Sequence, residues 1–156
     1  MAGHLHRLLY ASRWTNGLGE DVEAASHRIV AASIPNNRLL DVTGLLLAHD
    51  GWFLQGLEGP EASVRQLMER IRRDPRHRDV RVISAGPAPS RLFKDWNMAG
   101  AKLEREADAM LIELGQIARF DGQRLDAVGA LGLLIHAGQA ARRRERDSLG
   151  LDRRAG

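Results

Sequence analysis

A glutamine stands inside an apolar run: Gln55, within VTGLLLAHDGWFLQGLEG from Val42 to Gly59. Asp50-Gly51 between two apolar stretches is a hairpin signal, because a tight hairpin turn favours such residues at its centre. In the second strand, alternation puts Phe53, Gln55 and Leu57 on one face and Trp52, Leu54, Gly56 and Glu58 on the other. A buried amide without partners costs roughly 2 to 7 kcal/mol depending on the reference state, so a polar group must meet Gln55 on its face. The amide has a donor end and an acceptor end, so it can hydrogen-bond in both directions.

Other residues with chemical potential are spread along the chain. Tyr10 shares a face with Leu8 and Ser12, Asn37 follows one helix, and Asp74, Arg76 and His77 follow another. Taken singly, each has a plain structural role: a core tyrosine with a satisfied hydroxyl, a turn asparagine, a solvated helix end. The chain has no cysteine, which removes disulfides, thiol nucleophiles and cysteine-based zinc or iron–sulfur sites. His77 has no second metal ligand at recognisable spacing. Gly17 and Gly19 follow a strand but lack the remaining spacing of a dinucleotide fingerprint.

At 156 residues, 44% hydrophobic and 28% charged, the chain fits one globular domain with a short extension. No apolar run reaches the roughly 18 residues of a membrane span and the N-terminus lacks a secretory signal, so a cytoplasmic protein without a membrane partner is expected. The net charge of +3 is concentrated near the end, from Arg142 to Arg154. That cluster is expected to be a solvated helix end and tail rather than a nucleic-acid surface.

Taken in order, His4 to Arg13 is predicted as a strand and Thr15 to Gly19 as a loop. A helix follows, acidic at Glu20 and Asp21, with a stripe of Val22, Ala25, Ile29, Ala32 and Ser33. Pro35 predicts its end near Ser33, with Asn36 and Asn37 in a turn beyond. After the hairpin come a helix from Pro60 to Arg73, a break at Asp74-Pro75, a strand from about Val80 to Ala85, and a loop from Gly86 to Pro89. Arg91 to Ala99 is expected as a short last strand with Trp96 and Met98 on one face. The order βαββαββ predicts an α+β, ferredoxin-like sandwich with two helices on one face of an antiparallel-rich sheet. From Leu103, a stripe of Met110, Leu111, Leu114, Ile117 and Ala118, a break at Gly122 and a second stretch from Leu125 to Arg144 predict a helical hairpin. Val42 to Leu47 is apolar throughout, so both its faces need cover, and the hairpin is expected on the second.

Together Tyr10, Asn37, Gln55, Trp96 and Met98, with the runs VTGLLL, FLQGLEGP, IRRDPRH and FKDWNM, resemble the BLUF family of blue-light sensors that use FAD. The resemblance covers His4 to about Gly100. It implies that Tyr10 and Gln55 touch each other and the flavin, and that Asn37 holds the pyrimidine edge of the ring. It also implies cofactor contacts at Ile29, Ser33, Asp74, Arg76 and His77, and places Trp96 and Met98 on a switching strand. The implied photochemistry takes an electron from Tyr10 and relays a proton along Gln55, which is left rotated or tautomerised with a new bond to a flavin carbonyl and a small red shift. Pro35 stands where members often carry a polar residue, and the Thr15 to Gly19 loop is longer than usual.

Two other readings meet some of the same residues. A small acylphosphatase-like enzyme needs a phosphate loop with an arginine and a catalytic amide; Arg13 and Asn37 are the candidates, and the loop does not match. A flavin-free interaction module would keep the fold and use its helical hairpin. The expected organisation is a flavin-binding domain over 1–100, a helical extension over 101–145 and a basic flexible tail over 146–156. The chain is expected not to be an enzyme itself but to act on a separate effector protein. The small-residue helix from Asp126 to Ala140 further suggests a homo-oligomer, most simply a dimer.

Overall fold

The structure is a computed structural model that describes residues 4–15, 22–94 and 99–154. At its centre β1 (Leu5–Trp14) runs antiparallel to β3 (Trp52–Pro60), which runs antiparallel to β2 (Thr43–His49). β4 (His77–Pro87) pairs antiparallel with β1, and β5 (Ala99–Ala101) pairs in parallel with β2, giving the order β4-β1-β3-β2-β5. α1 (Val22–Leu39) follows β1 and α2 (Glu61–Arg73) follows β3. This is the expected ferredoxin-like α+β plan with a parallel strand added at one edge.

The β2–β3 turn forms as its residues dictate: Asp50 and Gly51 both take positive φ, 52° and 78°, the pair of conformations a tight two-residue turn requires. Alternation then sorts the side chains. Leu8, Tyr10, Leu46, Phe53 and Leu57 pack under Ala25 and Ile29 of α1 and Val64, Leu67 and Met68 of α2. Leu9, Ala11, Leu45, Leu47, Trp52 and Leu54 pack on the opposite face. There they meet α3 (Asp108–Glu113) through Leu111, the following segment through Phe120 and Leu125, and α4 (Ala127–Arg154) through Ala130, Leu133, Leu134 and Ala137. The C-terminal helices do cover the second face.

Several boundaries differ from expectation. α1 does not stop before Pro35 but runs to Leu39, which places Asn36 and Asn37 inside the helix. A proline removes one helical hydrogen bond, at a cost of about 3 kcal/mol in a helix interior. Here the last turn is held beyond it, with Leu40 N–H donating to Asn36 O (3.1 Å) and Val42 N–H to Asn37 O (2.8 Å). β4 begins at His77 rather than near Val80, because its first residues pair with Arg13 and Trp14 across a register shift in which Asp79 takes a φ of 52°. It also runs through Gly86 and Pro87, expected as loop. Residues 91–94 form bends and a turn rather than strand, and β5 spans only Ala99–Ala101.

α3 ends at Glu113, not at Gly122, because Gly115 (φ 69°) closes it: Gly115 N–H donates to Ile112 O and Gln116 N–H to Leu111 O, a Schellman ending. Ile117 and Ala118, expected on its apolar stripe, are therefore outside the helix and exposed. α4 continues past Arg144 to Arg154, through most of the stretch expected as a tail. The expectations for Glu20, Asp21, Trp96 and Met98 lie outside the described residues.

The connection between α3 and α4 docks on the sheet through a missing side chain. A Cβ at Gly122 would lie 2.6 Å from the Trp52 ring and 2.7 Å from Ala11 Cβ, and Arg81 Nη1 donates to Gly122 O (3.1 Å) and Leu125 O (2.7 Å). Overpacking of this kind typically costs about 1–3 kcal/mol. Gly122→Ala is therefore expected to lower the thermal midpoint by several degrees, by roughly 2–4 °C per kcal/mol for a chain of this size. Gly86→Ala, with nothing within 4 Å of its Cβ, should leave the midpoint nearly unmoved.

Candidate functional site

Tyr10 of β1 and Gln55 of β3 are directly opposed in the sheet, and the Tyr10 hydroxyl donates to Gln55 Oε1. Both are buried, at 1% and 4% exposure, so the polar partner that Gln55 requires is the tyrosine. Two residues further along the same face of β1, Ser12 Oγ lies 2.8 Å from His77 Nδ1, and the imidazole packs between Phe53 (5.1 Å between ring centroids) and Tyr10 (6.2 Å). His77 is placed by the turn before it. Asp74 Oδ1 accepts from the backbone N–H of Arg76 (2.9 Å), its carboxylate holds the Arg76 guanidinium (2.6 Å at Nη2), and Thr15 N–H donates to Arg76 O (3.0 Å).

α1 forms the facing wall. Ile29, Ser33 and Asn37 are four apart and share one helix face, and Ser33 Oγ donates back to Ile29 O (2.6 Å). All eight residues expected at a cofactor, Tyr10, Ile29, Ser33, Asn37, Gln55, Asp74, Arg76 and His77, line one cavity of about 350 Å³. That volume lies within the range of roughly 300–1,000 Å³ usual for small-molecule clefts. Its lining is a mixture of apolar side chains (Ile29, Leu57, Leu67, Ile71) and a few convergent polar groups. Such a lining fits a flat, mostly apolar ring with polar edges.

The sequence reading missed several members of this site. Ser12 was legible as a small polar residue on the Tyr10 face, where burial demands a partner. Ala32, Leu57, Leu67 and Ile71 were visible only as core stripe residues. Asn36 was expected in a turn beyond the helix, and Arg70 carried no signal beyond helical phase. Among the described residues no group of His, Cys, Asp or Glu is arranged to hold a metal ion.

Burial, aided by the charge of Asp74, holds the Tyr10 phenol well above its usual pKa, so it is a neutral donor. Burial also lowers His77 to about 4, against the pull of Asp74, leaving a neutral imidazole at pH 7. For Asp74 burial works against ionisation, but the hydrogen bonds and charge of Arg76 outweigh it and keep the carboxyl below its ordinary value. The site thus puts a neutral phenol–amide pair at its floor and an ion pair at its rim.

A family model described as sensors of blue-light using FAD matches residues 5–99. The chain belongs to the BLUF family. It is a blue-light sensor of the flavin-using kind. Over 120 residues it is 32% identical to the photoactivated adenylate cyclase subunit beta of Euglena gracilis, a match covering 76% of this chain and 14% of that protein. The chain therefore spans only a small part of the curated relatives it matches. Among solved structures, the dark state of BlrB, a BLUF protein, superposes with a TM-score of 0.69 at 28% identity over 90% of this chain and 99% of that one. A bacterial light-regulated adenylyl cyclase gives 0.64 at 30% identity over 73% and 34%.

The depressed His77 value has a consequence for stability. Between its folded value of about 4 and the unfolded value of about 6.5 the unfolded chain binds the proton and the folded chain does not, so stability falls as pH is lowered through that window. The His77 imidazole is expected to titrate near pH 4 by NMR. In His77→Gln the loss of unfolding free energy between pH 6.5 and 4 should be smaller than in the wild type; an equal loss would place the effect elsewhere.

Proposed function

We propose that the chain binds FAD non-covalently in the cavity between the central strands and the helices α1 and α2, and reports blue light through the Tyr10–Gln55 hydrogen bond. The observation that carries this reading is the buried Tyr10–Gln55 pair at the floor of a cavity lined by every expected contact residue. Excited by light, the bound flavin ring supplies an acceptor for one electron. The protein's part follows from its own groups. Tyr10 is the electron donor at the floor, and its proton leads onto the Gln55 amide that already accepts it. Rotation of that amide exchanges Oε1 and Nε2 and redirects a donor toward the ring. Asn37, held in the last turn of α1 at 2% exposure, is assigned the ring's polar edge; Ile29 and Ser33 line its side. Arg70 and Arg76 at the rim supply the positive charge that the phosphates of FAD require.

The proposed output runs from Gln55 toward β5 and the C-terminal helices, with Trp96 and Met98 on the way, to a partner protein outside residues 1–156. In this division 1–100 is the sensor and 101–145 the helical output layer, with the basic end at 146–156; the protein itself carries out no catalysis. The adenylate cyclases among its relatives show the kind of effector such a sensor can accompany. A cytoplasmic location is part of the same proposal; among the described residues no helix is long and apolar enough to cross a membrane.

The flavin and its photochemistry are tested together. The purified protein should be yellow, release FAD rather than FMN by mass on denaturation, and show a small red shift in blue light. Tyr10→Phe and Gln55→Leu should keep the flavin and lose the shift. Colourless protein that also fails to take up added FAD would overturn the reading, and a normal shift in either variant would overturn the Tyr10–Gln55 route.

A homodimer is proposed for the helical layer. Its small residues Gly129, Ala130, Ala137 and Gly138 are buried, whereas Ile112, Ile117 and Val128 are exposed apolar side chains available to a second copy. Light scattering should give twice the chain mass for the wild type, in the dark or in the light, and the single mass for Val128→Asp. A wild type of single mass under both illuminations would remove the dimer.

A further inference from the structure

Glu58 is a carboxylate with no solvent exposure, and its environment has no link to the cavity. It lies on the face of β3 opposite Gln55, three residues along the same strand. Its oxygens accept from Arg7 Nε (2.9 Å), from the backbone N–H of Leu92 (2.9 Å) and from the backbone N–H of Phe93 (2.7 Å). Burying a charge is costly unless such donors surround it. Two of the three belong to a segment that is neither helix nor strand.

That segment is held at further points on the same surface. Arg7 Nη2 donates to Ser90 O (2.8 Å), while Arg91 donates to Thr43 Oγ1 (2.9 Å), Glu58 O (3.2 Å) and Asp41 O (2.9 Å). The Phe93 ring is seated where β3 has no side chain: a Cβ at Gly56 would lie 2.6 Å from it. β3 therefore carries Gln55 toward the cavity and, at positions 56 and 58, grips the chain that leads to β5. β5 in turn pairs with β2, where Leu46, opposite Gln55, is the partner of Gly100.

We infer that Glu58 is the positioning residue of the output path: its carboxylate pins Leu92 and Phe93 to the back of the Gln55 strand, so that a change at Gln55 is delivered to β5. This rests on the flavin reading above. Without the pin, the chain before β5 has slack, and a shift of β3 is absorbed in residues 91–94. Glu58 itself touches neither the cavity nor Tyr10, so flavin binding and formation of the red shift do not need its charge.

The test compares the full-length wild type with Glu58→Gln, which keeps the shape but turns one acceptor into a donor facing Arg7 and Leu92. Hydrogen exchange in the dark should show protection of the Leu92 and Phe93 amides reduced about tenfold, the scale of one hydrogen bond to a charged group. The variant should still bind FAD and form the red shift. Its light-minus-dark exchange difference at Ala99–Ala101 should be lost, and its dark recovery should change about threefold or more, a shift below the scale of that same bond. A wild-type difference at β5 retained in full by Glu58→Gln, with unchanged recovery, would overturn the role of Glu58 while leaving the flavin reading intact. A wild type with no red shift would overturn the flavin reading and this inference with it. Should Glu58→Gln not fold, Glu58→Asp, which keeps the charge but draws the carboxylate back by one methylene from the Leu92 and Phe93 amides, decides the question by the same two readouts.

Discussion

The site depends on one register, that of β1 against β3. Three directly opposed pairs, three residues apart, hold it. Arg7 lies across from Glu58 with an ion pair of 2.9 Å, Tyr10 across from Gln55 with their hydrogen bond, and Arg13 across from Trp52 with the guanidinium 5.0 Å from the ring centroid. Because strand side chains alternate, the outer two pairs lie on the C-terminal helix face and the middle one faces the cavity. A slip of one residue would bring Tyr10 opposite Leu54 or Gly56 and take the tyrosine hydroxyl away from the Gln55 amide, so cross-strand pairs worth roughly 0.2–1 kcal/mol each carry more weight here than their sum suggests.

The two faces of the sheet do different work. On the C-terminal side, side chains fill the interface and glycines are used where they cannot: Gly56 under Phe93 and Gly122 on Trp52. On the α1–α2 side the layer leaves a cavity. It exists because α1 carries on past Pro35 and brings Asn36 and Asn37 over the sheet instead of turning away. The β1–β4 pairing shifts register on both sides of Tyr10–Ala11, as bulges beside functional residues often do, and this brings His77 to Ser12.

Much of this was legible in the residues. The hairpin followed from Asp50-Gly51, the faces of β1 and β3 from alternation, α2 from its period, and the cover on the second face from the apolar character of β2. The pocket partner of Gln55 needed a tertiary contact across 45 residues, and only resemblance to a family supplied it. The boundaries failed where a local rule met a tertiary constraint. Pro35 is a bias against helix that the bonds of Leu40 and Val42 outweigh, and Gly115 ends α3 because it can take φ 69°, whereas Gly122 is needed for close packing. Glu58 was passed over although the reasoning that singled out Gln55 applied to it equally: a polar side chain at an inward position of an apolar strand must have donors waiting.

A photoswitch needs two states separated by a few kcal/mol, and the packing here restricts where they can differ. Close-packed cores do not deform continuously, so a change of state must be a discrete rearrangement of a few groups. The apolar side chains of β1 and β3 are buried on both faces, and close packing of this kind disfavours a second arrangement. The Gln55 amide can have one: on the proposed reading a half-turn exchanges a donor for an acceptor with almost no change in its own shape, so the states differ first in hydrogen bonds, each worth about 1 kcal/mol net. Tyr10, kept protonated by burial, can serve either arrangement, since a hydroxyl both donates and accepts. In the proposed switch the gap is therefore small because the amide is nearly symmetric in shape, and the states stay distinct because a close-packed surround disfavours an intermediate.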